Sequence, residues 1–103
     1  MGSNNHDIFI SFSFKDQAVT EYVGNLLLSK YHISYWMCTR DLVGGEHYKG
    51  EIAEAIKQAS LVLMIQSEHS LSSREVPKEI SIALDYNKPV IPFVLDNAEL
   101  QGD

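Results

Sequence analysis

One carboxylate, that of Glu79, falls where helical periodicity calls for a hydrophobic side chain. The segment 67–84 has the pattern of a loop that turns into a helix. By 3.6-residue spacing its core-facing positions are Val76, Glu79, Ile80, Ala83 and Leu84. A glutamate on the apolar side of a helix costs free energy to desolvate unless a ligand, a cation or a partner uses its charge. Glu79 is therefore the first candidate for a functional residue.

The position of Glu79 along the chain also favours a binding site. Its helix follows residues 61–65, a short apolar run typical of a buried parallel strand. Parallel sheets bind ligands at the carboxyl ends of their strands, and Glu79 is predicted to face that end. In the purely structural alternative, Lys78, Arg74 or backbone amides hold the carboxylate at the rim of the apolar stripe.

Strands and helices alternate along the chain, which indicates an α/β fold. The predicted strands are residues 7–12, 33–37, 61–65 and 90–95. The predicted helices are 16–30, 46–59 and the helix of Glu79, which ends near Asn87. Strict alternation with short links predicts right-handed βαβ units, hence a parallel sheet covered by helices on both faces, with the first strand at its centre. Pro92 inside the last strand indicates a sheet edge or a missing neighbour.

The first two helices are predicted from their apolar stripes. Asp16 has the residue type of an N-cap for the first helix. The stripe of the first helix consists of Val19, Tyr22, Val23, Leu26 and Leu27. The stripe of the second consists of Tyr48, Ile52, Ala55, Ile56 and Ala59. The long loop between the second strand and the second helix contains the pair Gly44-Gly45, which permits unusual backbone angles.

Composition sets limits on the class of protein. With 103 residues, of which 45% are hydrophobic, the chain has room for one domain and one core. The net charge of -6 argues against a surface that follows nucleic-acid phosphates. A lone Cys38 suits a reducing compartment, no run approaches the roughly 18 apolar residues of a membrane span, and no signal peptide is apparent. The expectation is a cytoplasmic domain over 7–103, preceded by a disordered start or cloning remnant over 1–6.

Several common chemistries of α/β domains are excluded by the sequence. The join after the first strand, SFSFKD, contains no glycine, so it forms neither a GxGxxG turn nor a GxxxxGK[ST] phosphate loop. No GxSxG elbow supports a serine hydrolase. The histidines lack the close spacing of metal ligands, and no metal site is predicted; they are His6, His32, His47 and His69.

A group of polar residues is predicted to meet at the carboxyl edge of the sheet. Its members are Ser11, Ser13, Arg40, Asp41, Tyr48, Ser67 and Glu79. Each has an ordinary explanation when taken alone: serines occur in turns, Arg40 and Asp41 can form an exposed ion pair, and Tyr48 can belong to the core. Their convergence at one edge is what favours a binding site.

Three segments resemble conserved motifs of the TIR (Toll/interleukin-1 receptor homology) domain. HDIFISFSFKD resembles the first conserved box, RDLVGGEHY the BB loop, and SEHSLSSREVPKEI the segment that carries the glutamate of NAD-consuming members. The resemblance implies a flavodoxin-like fold with a five-stranded parallel sheet in the order 2-1-3-4-5. The fifth strand and last helix of the family are then missing after Asp103, so the domain is expected to be short at its C-terminus.

The resemblance also implies an activity, NAD+ cleavage at the nicotinamide–ribose bond, with NAD+ as a substrate and no cofactor. Glu79 holds the family's catalytic position. The other implied substrate-binding residues are Ser11, Phe12, Ser13, Trp36, Arg40, Asp41, Tyr48 and Ser67. The product is ADP-ribose or a cyclic ADP-ribose, and the expected setting is a bacterial immune or defence system. The alternative is a non-enzymatic scaffold that binds other TIR domains, as in many animal receptors and adaptors.

The loop after the second strand is the implied oligomerisation element. It comprises Arg40, Asp41, Leu42, Val43, Gly44, Gly45 and Glu46, and in the family it docks on neighbouring TIR domains and can complete their NAD+ sites. The expected partners are thus further TIR domains, in a homo-oligomer or filament. Two departures stand out: the family usually has proline where this chain has Gly44, and a tryptophan often stands where this chain has Glu75.

Overall fold

The computed structural model describes residues 7–37 and 46–95, with the side chains of 46–49 excepted. A short 3-10 helix, Phe14–Asp16, follows the first strand. The strands are β1 (Ile8–Ser11), β2 (Tyr35–Met37), β3 (Leu61–Gln66) and β4 (Val90–Val94). The α-helices are α1 (Gln17–Tyr31), α2 (Glu46–Gln58), α3 (Glu68–Leu71) and α4 (Glu75–Asp85).

The four strands form a parallel sheet in the order β2-β1-β3-β4. This order confirms the prediction that the first strand is central and that the sheet is flavodoxin-like. Every residue of β1 is buried, with Phe9 and Ile10 fully inaccessible, because helices cover both faces of the central strand. Among the described strands β4 pairs with β3 alone, which agrees with both interpretations of Pro92, a sheet edge and a strand whose neighbour is missing.

The register between β1 and β3 brings two loops to the same edge of the sheet. Ser11, the last residue of β1, lies opposite Met64. β3 continues to Gln66 before the chain turns at Ser67. Since parallel strands end at the same edge, the segments that follow β1 and β3 become neighbours there.

The face that α1 turns to the sheet differs from the predicted stripe. Tyr22 and Leu26, predicted to be buried, are 67% and 41% exposed. The buried residues of α1 are Thr20, Val23 and Gly24. A Cβ placed on Gly24 would lie 2.5 Å from the Tyr35 ring, so the helix approaches β2 through a residue that has no side chain. Small residues allow this close approach, and the larger apolar residues turn outward as a result.

This contact predicts opposite effects for two glycine-to-alanine substitutions. Gly24→Ala should lower the free energy of unfolding by about 1 kcal/mol, since the clash with Tyr35 outweighs the gain in helix propensity. Gly50→Ala in α2 is the matched control: a Cβ there meets nothing within 4 Å, so alanine should stabilise the helix by about 0.5–1 kcal/mol. Urea unfolding of both variants tests this, and a stabilised Gly24→Ala protein would contradict the proposed packing.

The helix α4 buries the stripe that contains the glutamate. Val76, Glu79 and Ala83 are buried, as predicted, while Leu84 is 61% exposed and its prediction as a core residue was wrong. Leu84 stands next to the helix end, where the stripe has turned away from the sheet. The preceding segment, predicted as loop, contains the short helix α3. Among the described helices, none has the length and apolar character needed to cross a membrane.

Candidate active site

The carboxylate of Glu79 lies in the protein interior at the end of the central strand. Its side chain is 2% exposed, and the Ser11 hydroxyl donates a hydrogen bond of 2.7 Å to Glu79 Oε1. Ser11 itself is fully buried. The prediction that Glu79 occupies the core side of its helix is confirmed, and Lys78 and Arg74, the cations offered as alternative partners, are exposed. The contact fixes one carboxylate oxygen in a site with little water, where electrostatic interactions are strong.

Ser13 shapes the loop that leaves β1. It is 8% exposed, has extended backbone angles, and its hydroxyl accepts a hydrogen bond from the Lys15 backbone N–H. This contact caps the 3-10 helix Phe14–Asp16, after which α1 begins at Gln17 with Asp16 in the N-cap position. The loop therefore turns within three residues of the Glu79 contact and follows the edge of the sheet.

Asp16 occupies the predicted N-cap position, but its carboxylate does not cap α1. It accepts a hydrogen bond of 2.5 Å from the Ser67 hydroxyl instead. Asp16 is 8% exposed and its backbone oxygen accepts a hydrogen bond from the Thr20 hydroxyl, so the residue is held within the fold. Sequence reasoning missed this pair because the two residues are 51 positions apart. The available signal was that both follow strands predicted to be neighbours.

Ser67 is almost fully buried and forms the N-cap of α3. Its hydroxyl accepts hydrogen bonds from the backbone N–H groups of His69 and Ser70, at 3.1 and 3.2 Å, while its proton goes to Asp16. The Ser67 N–H in turn donates to the Ser70 hydroxyl, which completes a capping box. The described contacts of Ser67 thus join two loops of the site, and its role in binding substrate stays a prediction.

The aromatic candidates occupy different places. Phe12 is fully buried directly after β1. Trp36 is half-buried in β2, where its ring stacks on Phe9 with centroids 5.2 Å apart and an interplanar angle of 11°. Trp36 also lines a groove of about 770 Å³ that α1 and β2 form. In the sheet, β2 and β3 lie on opposite sides of β1, so this groove is on the side away from β3. The use of Trp36 as a stacking surface for substrate stays a prediction.

The remaining predicted site residues belong to the loop before α2. Arg40 and Asp41, with residues 42–45 of the oligomerisation loop, lie outside the described residues. Glu46 begins α2 and Tyr48 lies in its first turn, but their side chains are also outside the described part of the chain. The predictions for these positions stay predictions. Within the described residues, no three His, Cys, Asp or Glu side chains are grouped so that they could hold a metal ion.

Comparison with known proteins agrees with this architecture. A family model of the TIR domain matches residues 8–102. The TIR domain of the Toll-related receptor TRR-2 from Hydra magnipapillata superposes with a TM-score of 0.72 at 19% identity, covering 85% of this chain and 69% of that one. The TIR domains of the activated Roq1 resistosome give a TM-score of 0.73 at 21% identity, covering 95% of this chain and 63% of that one.

These comparisons concern family and fold rather than activity. The chain spans about two thirds of the length of the two TIR structures. No match was found among curated proteins. The family match extends over nearly the whole sequence, and the strand order and buried glutamate found above belong to that matched region. The chain is therefore a member of the TIR domain family.

Proposed function

We propose that this protein is an NAD+ nucleosidase that cleaves the bond between nicotinamide and ribose, with Glu79 as the catalytic residue. The observation that supports this most directly is a glutamate only 2% exposed, held by Ser11 at the carboxyl end of the central strand. Burying a carboxylate is costly, so its retention at a ligand-binding edge favours a catalytic role. The TIR domain family includes enzymes that consume NAD+, which is consistent with the proposal.

One carboxylate is sufficient for this reaction. Most glycosidases use two carboxylates because a poor leaving group must be protonated. The nicotinamide ring of NAD+ is a pyridinium cation, so it departs from the ribose as a neutral molecule and needs no acid. The remaining task is to stabilise positive charge that develops on the ribose. A carboxylate whose position is fixed before the reaction does this without reorganisation. The Ser11 hydrogen bond supplies that fixed position for Glu79.

The second buried carboxylate has a different assignment. Asp16 accepts the Ser67 proton in a short hydrogen bond and is 8% exposed. Glu79 and Asp16 therefore receive hydrogen bonds from different serines, which separates a catalytic carboxylate from one that joins loops.

Water as acceptor would give ADP-ribose, and an atom of the same molecule would give a cyclic product.

The proposed setting is a bacterial defence system in which TIR domains assemble. The Roq1 structure, an activated resistosome that recognises a pathogen effector, supports a link between this fold and immune assemblies. In the alternative function, a scaffold, the domain binds other TIR domains and does not turn over NAD+. Changes in loop 40–46 would then abolish self-association, and changes at Glu79 would have no functional effect.

The direct test is to incubate the purified protein with NAD+ and separate nicotinamide, ADP-ribose and cyclic products by chromatography. The reaction is run with and without a crowding agent that promotes assembly. Release of nicotinamide in proportion to NAD+ loss is the expected result, and the second product identifies the acceptor. Absence of NAD+ loss under both conditions would contradict the enzymatic proposal and leave the scaffold.

Assembly predicts a concentration dependence of the activity. If loop 40–46 of a neighbouring domain completes the site, only assembled molecules have a competent pocket, and activity per molecule should rise with protein concentration. Specific NAD+ cleavage is measured over about a hundredfold dilution, with light scattering to follow the oligomeric state. Constant specific activity of a protein that stays monomeric throughout would show that one chain contains the complete site.

A further inference from the structure

Two hydrogen bonds between a serine and a carboxylate join the end of β1 to the chain that follows β3. Ser11 donates to Glu79 Oε1 at 2.7 Å, and Ser67 donates to Asp16 Oδ2 at 2.5 Å. Segments 11–16 and 67–79 therefore each supply one serine donor and one carboxylate acceptor, so the two bonds run in opposite directions. The two segments and the two bonds close a ring through the chain, the hydrogen-bonded ring.

The four side chains that close the hydrogen-bonded ring are shielded from solvent. Ser11, Asp16, Ser67 and Glu79 are all buried. A buried hydrogen bond that opens leaves its polar groups without a partner, because water does not readily reach them. We therefore expect both bonds to stay closed together in the folded protein.

The two segments of the hydrogen-bonded ring have little conformational freedom of their own. The Ser13 hydroxyl caps the 3-10 helix in segment 11–16. In segment 67–79, Ser67 caps α3, and the Ser73 hydroxyl accepts two backbone N–H groups at the start of α4. Neither segment contains a glycine, and Pro77 fixes one backbone angle. A displacement at one bond is therefore absorbed poorly before it reaches the other.

The end of the hydrogen-bonded ring at Asp16 is the better anchored one. The backbone oxygen of Asp16 accepts a hydrogen bond of 2.8 Å from the Thr20 hydroxyl, which ties this end to α1. Because the two bonds run in opposite directions, a shift of segment 67–79 along segment 11–16 moves a donor and an acceptor at once and strains both. Asp16 thus provides a fixed point against which α4, with Glu79, is held.

We propose that Asp16 is a positioning residue for Glu79: its hydrogen bond with Ser67 holds α4 where the Ser11 hydroxyl meets Glu79 Oε1. The inference rests on the proposed function, because it serves a catalytic role of Glu79. Asp16 acts through Ser67 and is assigned no contact with the reacting atoms. The effect on rate is large for so indirect a role, since a misplacement of about 1 Å can lower an enzymatic rate by about 100-fold.

The kinetic test is a cycle of variants of the full chain, assayed below their unfolding temperatures. Asp16→Ala should lower kcat for NAD+ cleavage by about 10-fold to 100-fold and change KM by less than about twofold. Asp16→Asn retains an oxygen that can accept the Ser67 proton and should recover most of this loss. In a Ser11→Ala background, where Glu79 has already lost its partner, Asp16→Ala should lower kcat by less than about threefold more.

A second measurement needs no NAD+ and reports the position of Glu79 directly. The ¹³C signal of the Glu79 carboxyl carbon, assigned by its disappearance in Glu79→Gln, responds to the hydrogen bond from Ser11. Ser11→Ala gives the signal of the carboxylate without that bond. Asp16→Ala should shift the signal towards that position, whereas Asp16→Asn should leave it where it is in the unaltered protein.

Gly24→Ala is the control for a general loss of stability, because it strains a contact between α1 and Tyr35 that does not belong to the hydrogen-bonded ring. It should change neither kcat nor the Glu79 signal. Asp16→Glu moves the acceptor outward by one methylene and replaces Asp16→Ala if that variant does not fold; the same changes in kcat and signal are expected.

The inference is overturned by an unchanged kcat or an unmoved Glu79 signal in the folded Asp16 variants, by losses that multiply in the double variant, or by an equal loss of kcat in Gly24→Ala. The two proposals also fail separately. Absence of NAD+ turnover in the unaltered protein would refute the enzyme, while the Glu79 signal would still decide whether Asp16 positions Glu79. Normal turnover and an unmoved signal in Asp16→Ala would refute the positioning role alone.

Discussion

Glu79→Gln is expected to lower the rate of NAD+ cleavage by at least about 100-fold while leaving the protein folded. Glutamine retains the shape of glutamate and an oxygen that can accept the Ser11 hydrogen bond, but it carries no charge to stabilise the ribose cation. The loss should appear in kcat, because the interaction operates in the transition state.

The matched control is Asp85→Asn, which makes the same chemical change on an exposed residue of the same helix. It should retain normal turnover. Nicotinamide release and thermal unfolding are measured for both variants beside the unaltered protein. NAD+ cleavage by Glu79→Gln at the rate of the unaltered protein would refute the assignment of Glu79, and equal losses in both variants would mean that the activity senses the net charge of α4 instead.

The second large effect is expected from the hydrogen bond between Asp16 and Ser67. Asp16→Ala should lower the free energy of unfolding by about 2 kcal/mol, because a buried hydroxyl loses a carboxylate acceptor. Ser67→Ala should cost at least as much, since it also removes the acceptor of the His69 and Ser70 N–H groups. The double variant should cost less than the sum, because both substitutions break the same bond.

Urea unfolding of the two single variants and the double variant gives the coupling free energy directly. Ser72→Ala serves as the control: its hydroxyl bonds an α3 carbonyl at the surface, and its loss should change stability by less than about 0.5 kcal/mol. Additive losses from Asp16→Ala and Ser67→Ala would show that the contact contributes no coupling. Some interaction other than this hydrogen bond would then have to hold the loop after β1 against the loop after β3.

Local patterns predicted the sheet and the buried glutamate because both depend on short-range periodicity. Apolar strands separated by helices indicated a parallel sheet with β1 between β2 and β3, and the full order β2-β1-β3-β4 was implied by the resemblance to TIR domains. Glu79 was recognisable because a charge interrupted an otherwise regular stripe. Its partner Ser11 could be placed only at the same sheet edge, since the hydrogen bond depends on the register between strand and helix.

The misassigned residues show where periodicity is insufficient. In α1 the pattern counted Tyr22 and Leu26 as core residues, although the helix buries Thr20 and Gly24 and meets the Tyr35 ring of β2 at Gly24. An apolar stripe does not record how closely two elements approach, and a glycine that meets an aromatic ring can determine the orientation of a helix. The role of Asp16 was missed for a related reason. Its residue type predicted a local cap, while a tertiary partner uses the carboxylate.

The contact between Ser11 and Glu79 links residues 68 positions apart, so the candidate site can form only when distant parts of the chain have come together. Closing so large a loop costs chain entropy that is recovered only after β1 has paired with β3 and α4 has docked on both. We therefore expect the carboxylate to be positioned late in folding. If the protein cleaves NAD+ as proposed, a nascent or partly folded chain would lack the positioned carboxylate and would leave NAD+ intact during synthesis.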